Sequence, residues 1–371
     1  MKLMTSLLHR GSSVPRPAKE TTGGLPVTIT LIPHAGEGIL EIVRRLARQV
    51  CDQEVTILNL LVFGNIRAHT PTGDALRQVF GRVDWPVTWV EGAACDDAPI
   101  AGIQAFVFAG DVDRISLAGR VVASVFTSGG AEHCFIGGLS PRVNQISRAR
   151  QTEAALEELQ TALALAGFEL ADTIRTWFFL ADLLSWYGEF NKVRTKVYAG
   201  VKFRTGSLPA STGVSALNPE GLALALAAWA LRPMKSGVGA EEVASPLQCP
   251  APAYGSSFSR AMEISSAAGR QLLISGTASI APGGKTLWQD DVRKQVELTM
   301  SVVEAILRSR GFTWADLTRA TAYFKHRNDL GAFSAWCREQ GLNSLSIVAA
   351  QCAVCRDDLL FELEADAMKP A

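Results

Sequence analysis

The sequence lacks the features that mark a nucleic-acid-binding or membrane-spanning protein. Its 36 basic and 36 acidic residues cancel, so there is no electrostatic reason to expect a nucleic acid or an anionic membrane as a partner. Its most apolar stretch, residues 221–231, is about half as long as the roughly 20 residues that a membrane-spanning helix needs. Hydrophobic residues nevertheless make up 48% of the 371 residues, which is enough for two or three buried cores.

Cysteine and histidine are too scattered for a disulfide framework or a metal site. Seven cysteines, an odd number in a chain that needs no covalent staples, favour free thiols in a reducing cytoplasm. The five histidines form no HxxxH or His–Cys constellation, and the Cys352–Cys355 pair has no second pair at metal-ligand spacing. No dinucleotide fingerprint, phosphate loop or Schiff-base lysine is evident. We therefore expect a cytoplasmic protein without a cofactor.

Turn-rich seams divide the chain into candidate domains. Residues 1–24 lack the apolar run of a signal peptide and are predicted to be a disordered leader. Glycine and proline concentrate near residues 110–119 and 236–252. We therefore predict a first unit over residues 25–118, a second over 119–235, a linker over 236–252 and a third unit over 253–371.

An internal repeat at an offset of 144 residues supports this division. Residues 167–175 and 311–319 share Gly, Phe, Ala, Asp and Arg at matching positions without a gap. Each segment follows a helix with one apolar face, over residues 151–166 and its counterpart, and the shared glycine is predicted to end that helix. A β-rich run comes next in both copies.

The last unit predicts the element order ββαβαββ. Strands are expected at 258–264, 271–280, 320–324, 344–352 and 359–366, with helices around 296–307 and 330–340. A fainter copy of the same order, without its first hairpin, occupies residues 25–125. The fold class is therefore α+β, built from tandem copies of one module.

Several motifs resemble the Rid (YjgF-like) family, and more fully the chorismatases, which carry tandem Rid-like units in one chain. The resemblance covers about residues 120–368. Its motifs are Tyr254-Gly255 followed by residues 257–261 (SFSRA), residues 274–280 (ISGTASI), 208–214 (LPASTGV) and 355–364 (CRDDLLFELE). Rid proteins form trimers with active sites between subunits. The resemblance therefore implies an internal pseudo-trimer, and we expect the protein to be a monomer.

The resemblance also implies an activity. Chorismatases hydrolyse chorismate in secondary metabolism and release pyruvate, together with a dihydroxycyclohexadiene carboxylate or 3-hydroxybenzoate. Breaking an enolpyruvyl ether requires protonation of its methylene carbon, so a carboxyl group must keep its proton near neutral pH. Glu362 lies in an apolar strand at the family's functional glutamate position and is the expected catalytic acid.

Strand alternation leaves a second interpretation open for this acid. Glu362, Glu364 and Asp366 fall on one face of the strand, with apolar residues on the other. The three carboxylates would then form a solvated face. For Glu364 the interpretation as a solvated, non-catalytic carboxylate is favoured.

Arginine suits the two carboxylates of chorismate, because it forms paired charge-assisted hydrogen bonds. Arg260, predicted to lie within a strand, and Arg356 are the candidates on the matched motifs. Arg356 alternatively pairs with Asp357 or Asp358 in a local turn. A small-carboxylate partner is therefore expected.

The remaining substrate-binding candidates lie on the same motifs. Tyr254 is either a hydroxyl donor to the substrate or an aromatic residue at a strand edge. Thr277 follows Gly276, and Thr212 precedes Gly213. These glycines let a ligand approach the backbone closely. Cys355, seven residues before Glu362, is expected to line the pocket.

The sequence also departs from the chorismatase pattern, and two other functions stay open. Residues 282–291 lack the histidine of the family's "HxGD" segment. A Rid-type enamine or imine deaminase would need an arginine near Ala349–Ala350, where the chain is apolar. A non-catalytic protein that binds small carboxylates is the third possibility.

Overall fold

The computed structural model describes residues 24–96, 98–141, 146–342 and 345–371. Of the predicted leader, residues 1–24, only Gly24 falls within the described residues. Among the described helices, none combines the length and the apolar character that a bilayer span requires.

Three β-sheets form the framework, each with two helices. The first unit contains β1 (Val27–Leu31), α1 (Ile39–Asp52), β2 (Thr56–Gly64), α2 (His69–Phe80), β3 (Val87–Glu91), β4 (Ala93–Ala94) and β5 (Ile100–Phe108). The second contains β6 (Asp113–Leu117), β7 (Arg120–Ser128), β8 (Ala131–Leu139), α3 (Arg148–Leu165), β9 (Thr173–Leu180), α4 (Tyr187–Ala199), β10 (Ala210–Ser215) and β11 (Leu224–Pro233). The third contains β12 (Gly239–Val243), β13 (Ala261–Ser266), β14 (Gly269–Ala278), α5 (Val292–Ser309), β15 (Leu317–Phe324), α6 (Leu330–Glu339), β16 (Ile347–Gln351) and β17 (Phe361–Pro370).

The three sheets share one topology. Their strand orders are β1-β5-β2-β3, β10-β9-β11-β8-β7-β6 and β12-β13-β14-β17-β15-β16-β4. In each, the strand between the two helices pairs in parallel with the next strand and antiparallel with the last one. The predicted α+β class and tandem modules are confirmed. The first sheet has the single strand β1 where the others have a hairpin.

Three of the described strands belong to sheets other than those that the predicted unit boundaries suggested. β6, predicted within the first unit, pairs with β7 of the second sheet. β12 lies in the predicted linker but forms the edge of the third sheet beside β13. β4 pairs with β16 of the third sheet. These crossovers escaped prediction because an edge strand is chosen by a neighbour distant in sequence.

The apolar side chains form one central core and three outer cores. Each outer core packs one sheet against its own helices. The central core draws aromatic and aliphatic side chains from all three sheets, including Phe106, Phe135, Trp177 and Tyr323. The sheets therefore face one another at the centre and carry their helices outside.

The residues shared by the repeat have identifiable physical roles. Gly167 and Gly311 adopt φ values of 81° and 75° just beyond α3 and α5, a conformation that glycine tolerates best. The Asp172 carboxylate accepts a hydrogen bond from the Glu169 backbone N–H at 2.8 Å, and Asp316 does the same for Thr313 at 2.7 Å. The repeat thus preserves a helix stop followed by a capped turn.

The shared arginine marks an equivalent position in all three sheets. A β-bulge precedes Arg175 in β9, Arg319 in β15 and Asn59 in β2, where each strand pairs with the last strand of its sheet. All three side chains are buried. Counting along the last strands from this bulge aligns Glu362 with Ala225 and Gly102. Only the third sheet therefore carries an acid at that position.

Glu364 joins the second and third sheets through a buried network. Its side chain is fully buried, and its carboxylate accepts hydrogen bonds at 2.5–3.1 Å from five donors: Arg175, Trp177, Thr212, Arg319 and Tyr323. Arg319 also donates to Gln104 of the first sheet at 3.1 Å. The network therefore touches all three units.

Because the three units occupy all positions of the pseudo-trimer, the chain should be a monomer in solution. Light scattering is expected to give a mass near 39.8 kDa. A stable homotrimer at that measurement would contradict this arrangement.

Glu364→Gln should destabilise the fold strongly. Removing the charge leaves Arg175 buried without its ion-pair partner, although Arg319 keeps its pairing with Asp366, and breaking a buried ion pair in this way costs about 3–5 kcal/mol. The midpoint of urea unfolding, followed by circular dichroism, measures the loss. Glu297→Gln, at a solvent-exposed ion pair with Arg293, is the matched control and should shift the midpoint little. Equal midpoints for the two variants would contradict the role of the network.

Candidate active site

Most of the predicted site residues meet in a cleft between the second and third sheets. The edge strand β10 runs beside the third sheet, where the Ser211 backbone N–H donates to Ser275 Oγ at 2.8 Å. The cleft holds a narrow cavity of about 30 Å³, named here the inner chamber. It is lined by Tyr187, Arg194, Ser211, Gly213, Tyr254, Ser256, Phe258, Arg260, Gly276, Ala278, Ile280, Cys355 and Glu362.

The first unit packs closely against its neighbours near the equivalent positions. Between the first and third units, a Cβ on Gly102 would lie only 2.8 Å from Val348 Cγ2. Between the first and second units, a Cβ on Gly138 would lie only 2.7 Å from the Val87 carbonyl oxygen. Glu362 borders the inner chamber, whereas Gly102, at the equivalent position of the first unit, packs against Val348.

Glu362 is a buried acid without a hydrogen-bond partner among the described residues. Its residue is 4% exposed, and its carboxyl group borders the inner chamber. Burial raises its pKa to about 8, and the negative charge of Glu364 adds to the effect, while Arg175 and Arg260 oppose it. Glu362 is therefore mostly protonated at neutral pH.

The neighbouring Glu364 behaves in the opposite way. Burial alone would raise its pKa, but Arg319, Arg175 and its hydrogen bonds outweigh burial and lower the pKa to about 2. The two carboxyl groups thus differ in charge although they share one face of β17. The alternative of a solvated acidic face is wrong, because Glu362, Glu364 and Asp366 are all buried.

Gly276 provides the space that the Glu362 carboxyl group occupies. A Cβ at this position would lie 3.0 Å from Glu362 Cδ and closer still to Oε1. Gly213, on the opposite strand β10, has no atom within 4 Å of such a Cβ. A side chain at Gly276 would therefore displace the Glu362 carboxyl group, whereas a side chain at Gly213 would meet open space.

Two buried arginines border the chamber without a carboxylate partner in the described ranges. Arg194 donates to Asn191 Oδ1 at 2.7 Å and lies over the Phe190 ring at 5.1 Å. Arg260 donates twice to the Cys249 carbonyl, at 3.1 and 2.9 Å. Buried cations normally have a counter-ion, so this pair leaves about two positive charges available to an anionic ligand.

Arg260 and Arg356 both contact the Tyr254 ring. The two guanidinium carbons lie 5.3 and 5.4 Å from the ring centroid. Arg260 precedes β13 rather than lying within a strand. Arg356 forms no ion pair with Asp357 or Asp358 among the described contacts; it donates instead to the Gly284 carbonyl at 2.7 Å.

Arg356 belongs to a second cavity on the solvent side of Tyr254. This outer pocket has a volume of about 670 Å³. It is lined by Tyr187, Gly188, Asn191, Lys192, Thr195, Lys196, Tyr254, Gly255, Ser256, Cys355 and Arg356. Tyr187, Tyr254, Ser256 and Cys355 line both cavities, which are therefore neighbours.

Cys355 lines the chamber as predicted, in the form of a thiol. Burial and the nearby Glu362 raise its pKa to about 12, so the thiolate is disfavoured at neutral pH. Cys352 is buried away from the chamber, and its thiol donates to the Glu91 carbonyl at 3.6 Å. The CxxC motif is thus split between packing and the cavity.

Two predicted substrate contacts lie outside the lining. Thr277 is buried and donates to the Ser275 carbonyl at 2.8 Å. Thr212 donates to Glu364 at 2.5 Å and accepts from the Gly276 backbone N–H at 3.0 Å. Both hydroxyl groups are used within the fold, because strand alternation turns them away from the cavity while their neighbours Gly276 and Gly213 face it.

Sequence reasoning missed the contribution of α4. Tyr187 and Arg194 project from this helix into the chamber. The signal was present: both lie on the face of α4 that also buries Phe190 and Tyr198, at three- and four-residue spacings. An arginine on an apolar helix face is expected to be buried, and its hydrogen-bond or anionic partner must then come from another element or from a ligand.

The divergent segment 282–291 forms a loop outside the chamber. None of its residues lines either cavity. Thr286 and Gln289 donate to the Asp358 carboxylate at 2.8 and 2.9 Å, and Asp291 caps α5 by accepting from the Lys294 backbone N–H. This loop therefore positions the turn that carries Arg356.

Comparisons with known proteins agree with this architecture. The profile of the endoribonuclease L-PSP family matches residues 250–369. A 3-hydroxybenzoate synthase from Streptomyces hygroscopicus is 27% identical over 260 residues, which cover 63% of this chain and 73% of that protein. A RutC family protein from Pyrococcus horikoshii is 29% identical over 103 residues, 28% of this chain and 82% of that protein.

Among solved structures, a chorismatase has the same fold over nearly the whole chain. The match has a TM-score of 0.65 at 20% identity and covers 94% of this chain and 100% of that one. This match shows that the chain has the fold of a chorismatase, and the family profile and the similar 3-hydroxybenzoate synthase agree with a Rid-like fold.

Proposed function

We propose that the protein is an enzyme that cleaves the enolpyruvyl ether of chorismate, or of a closely related enolpyruvyl acid, and releases pyruvate. The observation that carries the proposal is the state of Glu362. It is a buried carboxyl group with a pKa raised to about 8, it faces a cavity, and no described residue hydrogen-bonds to it. An acid that is protonated at neutral pH and free to donate is what this reaction requires.

Glu362 would act on the methylene carbon of the enolpyruvyl group. Its proton converts the methylene to a methyl group and leaves an oxocarbenium cation, which the new Glu362 carboxylate faces. Attack by an oxygen nucleophile on this cation and collapse of the adduct release pyruvate. Formation of the dihydroxycyclohexadiene carboxylate consumes one water in total, whereas formation of 3-hydroxybenzoate consumes none.

Arg194 and Arg260 would bind the two carboxylates of the substrate. They are the chamber's buried cations without carboxylate partners in the described ranges, and guanidinium groups bind carboxylates through paired hydrogen bonds. This proposal replaces Arg356, the second anchor expected from the sequence, with Arg194. The side chains of Phe258, Ala278 and Ile280 offer an apolar surface to the ring.

The chamber must widen when substrate binds. At about 30 Å³ it has room for about two water molecules. The outer pocket begins at Tyr187 and Tyr254, so movement of these two side chains would join the cavities and admit a six-membered ring. A chamber closed around the ring would then exclude bulk water from the oxocarbenium cation.

The two alternative functions have weaker support. A Rid-type deaminase would need an arginine near Ala349–Ala350, but these residues lie in β16, which does not line the chamber. A non-catalytic carboxylate-binding protein would use Arg194 and Arg260 but has no need of a neutral acid beside them. Glu362 therefore favours an enzyme.

Glu362→Gln should lower the rate of pyruvate release from chorismate by about 10²–10⁴-fold, because the amide keeps the shape of the side chain but cannot supply the proton. The wild-type rate should fall above about pH 8, where the acid loses its proton. Pyruvate is measured by a coupled assay and the ring product by chromatography.

The control is Glu242→Gln, at an exposed glutamate on β12 of the same sheet, which should leave the rate unchanged. Full activity of Glu362→Gln would exclude Glu362 as the proton donor. No pyruvate from chorismate with the wild-type protein would refute the proposed substrate.

Gly276→Ala should reduce the rate about 10–100-fold, because its methyl group displaces the Glu362 carboxyl group and small misplacements of a reacting group cost this much. The same assay measures it. Gly213→Ala borders the same chamber in open space and should have a far smaller effect. Similar losses of rate in both variants would show that Gly276 does not act by leaving space for the Glu362 carboxyl group.

A further inference from the structure

The outer pocket has a one-sided charge that the reaction at Glu362 does not explain. Its lining includes three cations, Lys192, Lys196 and Arg356, and no aspartate or glutamate. The pocket is far larger than the inner chamber, at about 670 Å³, shares four lining residues with it and includes the exposed side chain of Lys196. A substrate that enters the chamber from this side passes a positively charged space.

These three cations are only weakly neutralised by the described residues. Lys192 forms no ion pair within the described ranges, and Arg356 donates to the neutral oxygens of Gly284 and Thr286 at 2.7 and 3.5 Å. Lys196 has a single acidic neighbour, Glu153, at 3.8 Å, and its side chain is 79% exposed. The field at the mouth of the pocket is therefore positive.

We propose that the outer pocket is a capture site for dianionic carboxylates, which bind there before they enter the inner chamber. As a route to Glu362 this inference rests on the proposed function, since chorismate is a dicarboxylate. A concave wall of like charges concentrates counter-ions and raises the rate and affinity of first binding. Its effect on an exposed site falls when salt screens the charges.

Tyr254 gives the capture site a defined connection to the chamber. Its ring contacts both Arg356, which lines the outer pocket, and Arg260, which lines the inner chamber, at 5.4 and 5.3 Å. The two cations that contact this ring therefore belong one to each cavity. Movement of the Tyr254 ring would transfer the anion between two arginines without an intervening acid.

The test uses isophthalate, an aromatic dicarboxylate that carries no enolpyruvyl group and cannot react. Calorimetry measures its Kd at about 0.01 M and about 0.15 M salt, where the screening length falls from about 30 Å to about 8 Å. The variants are the Lys192→Gln/Lys196→Gln double variant and, as a control of charge, Arg308→Gln. Arg308 lies in the last turn of α5. The loop that contacts Arg356, which contains Gly284 and Thr286, lies before the first turn of the same helix.

The wild-type protein and Arg308→Gln should bind isophthalate about tenfold more tightly at low salt than at high salt, as expected for steering by several charges. The double variant should lose most of that advantage and depend little on salt. Equal affinities for the double variant and the wild type at low salt would overturn the capture site. A loss in Arg308→Gln that is as large, per charge removed, as the loss in the double variant would also overturn it, because net charge would then be the cause.

This result is separable from the proposed function. Isophthalate binding needs no turnover, so it tests capture even if chorismate releases no pyruvate. With chorismate as substrate, the double variant should raise KM at low salt about tenfold and leave kcat unchanged. A fall in kcat alone would assign the lysines to the chemical step and contradict a capture role.

Discussion

The buried pairing of Glu364 with Arg175 and Arg319 is the constraint on which the rest of the structure depends. The Glu364 carboxylate accepts hydrogen bonds from the second and third sheets, and Arg319 extends the contact to Gln104 of the first sheet. A charge buried at this depth is costly unless it is paired. The relative placement of the units is therefore fixed by charge at the centre as well as by the surrounding aromatic core.

The same pairing sets the chemistry of the cleft between the second and third sheets. Because Arg175 and Arg319 keep Glu364 ionised, its negative charge adds to burial in opposing ionisation of Glu362 on the same face of β17. One glutamate thus anchors the fold while its neighbour keeps a proton. Ala225 and Gly102 occupy the positions equivalent to Glu362 in the second and first units. Of the three repeated units, only the third therefore carries this pair of acids.

The sequence predicted the modules well because their signals are local: the helix stops at Gly167 and Gly311, the alternation in β17 and the matched motifs. It could not decide whether the acidic face of β17 meets water or another sheet, because that depends on the packing of distant units. The same limit hid Arg194, whose partners lie across the cleft. Thr212 and Thr277 were correctly placed beside the glycines that face the chamber, but their own side chains point away from it. Successive residues of a strand face opposite sides of the sheet.

The protonation state of Glu362 tests the account most directly. Infrared spectra of the wild-type protein minus those of Glu362→Gln isolate the carbonyl band of this one acid during a pH titration. The band of the protonated acid should persist through neutral pH and disappear near pH 8. A band that disappears near 4.5, the ordinary pKa of a glutamate, would contradict the role of Glu362 as a neutral acid poised beside an ionised one.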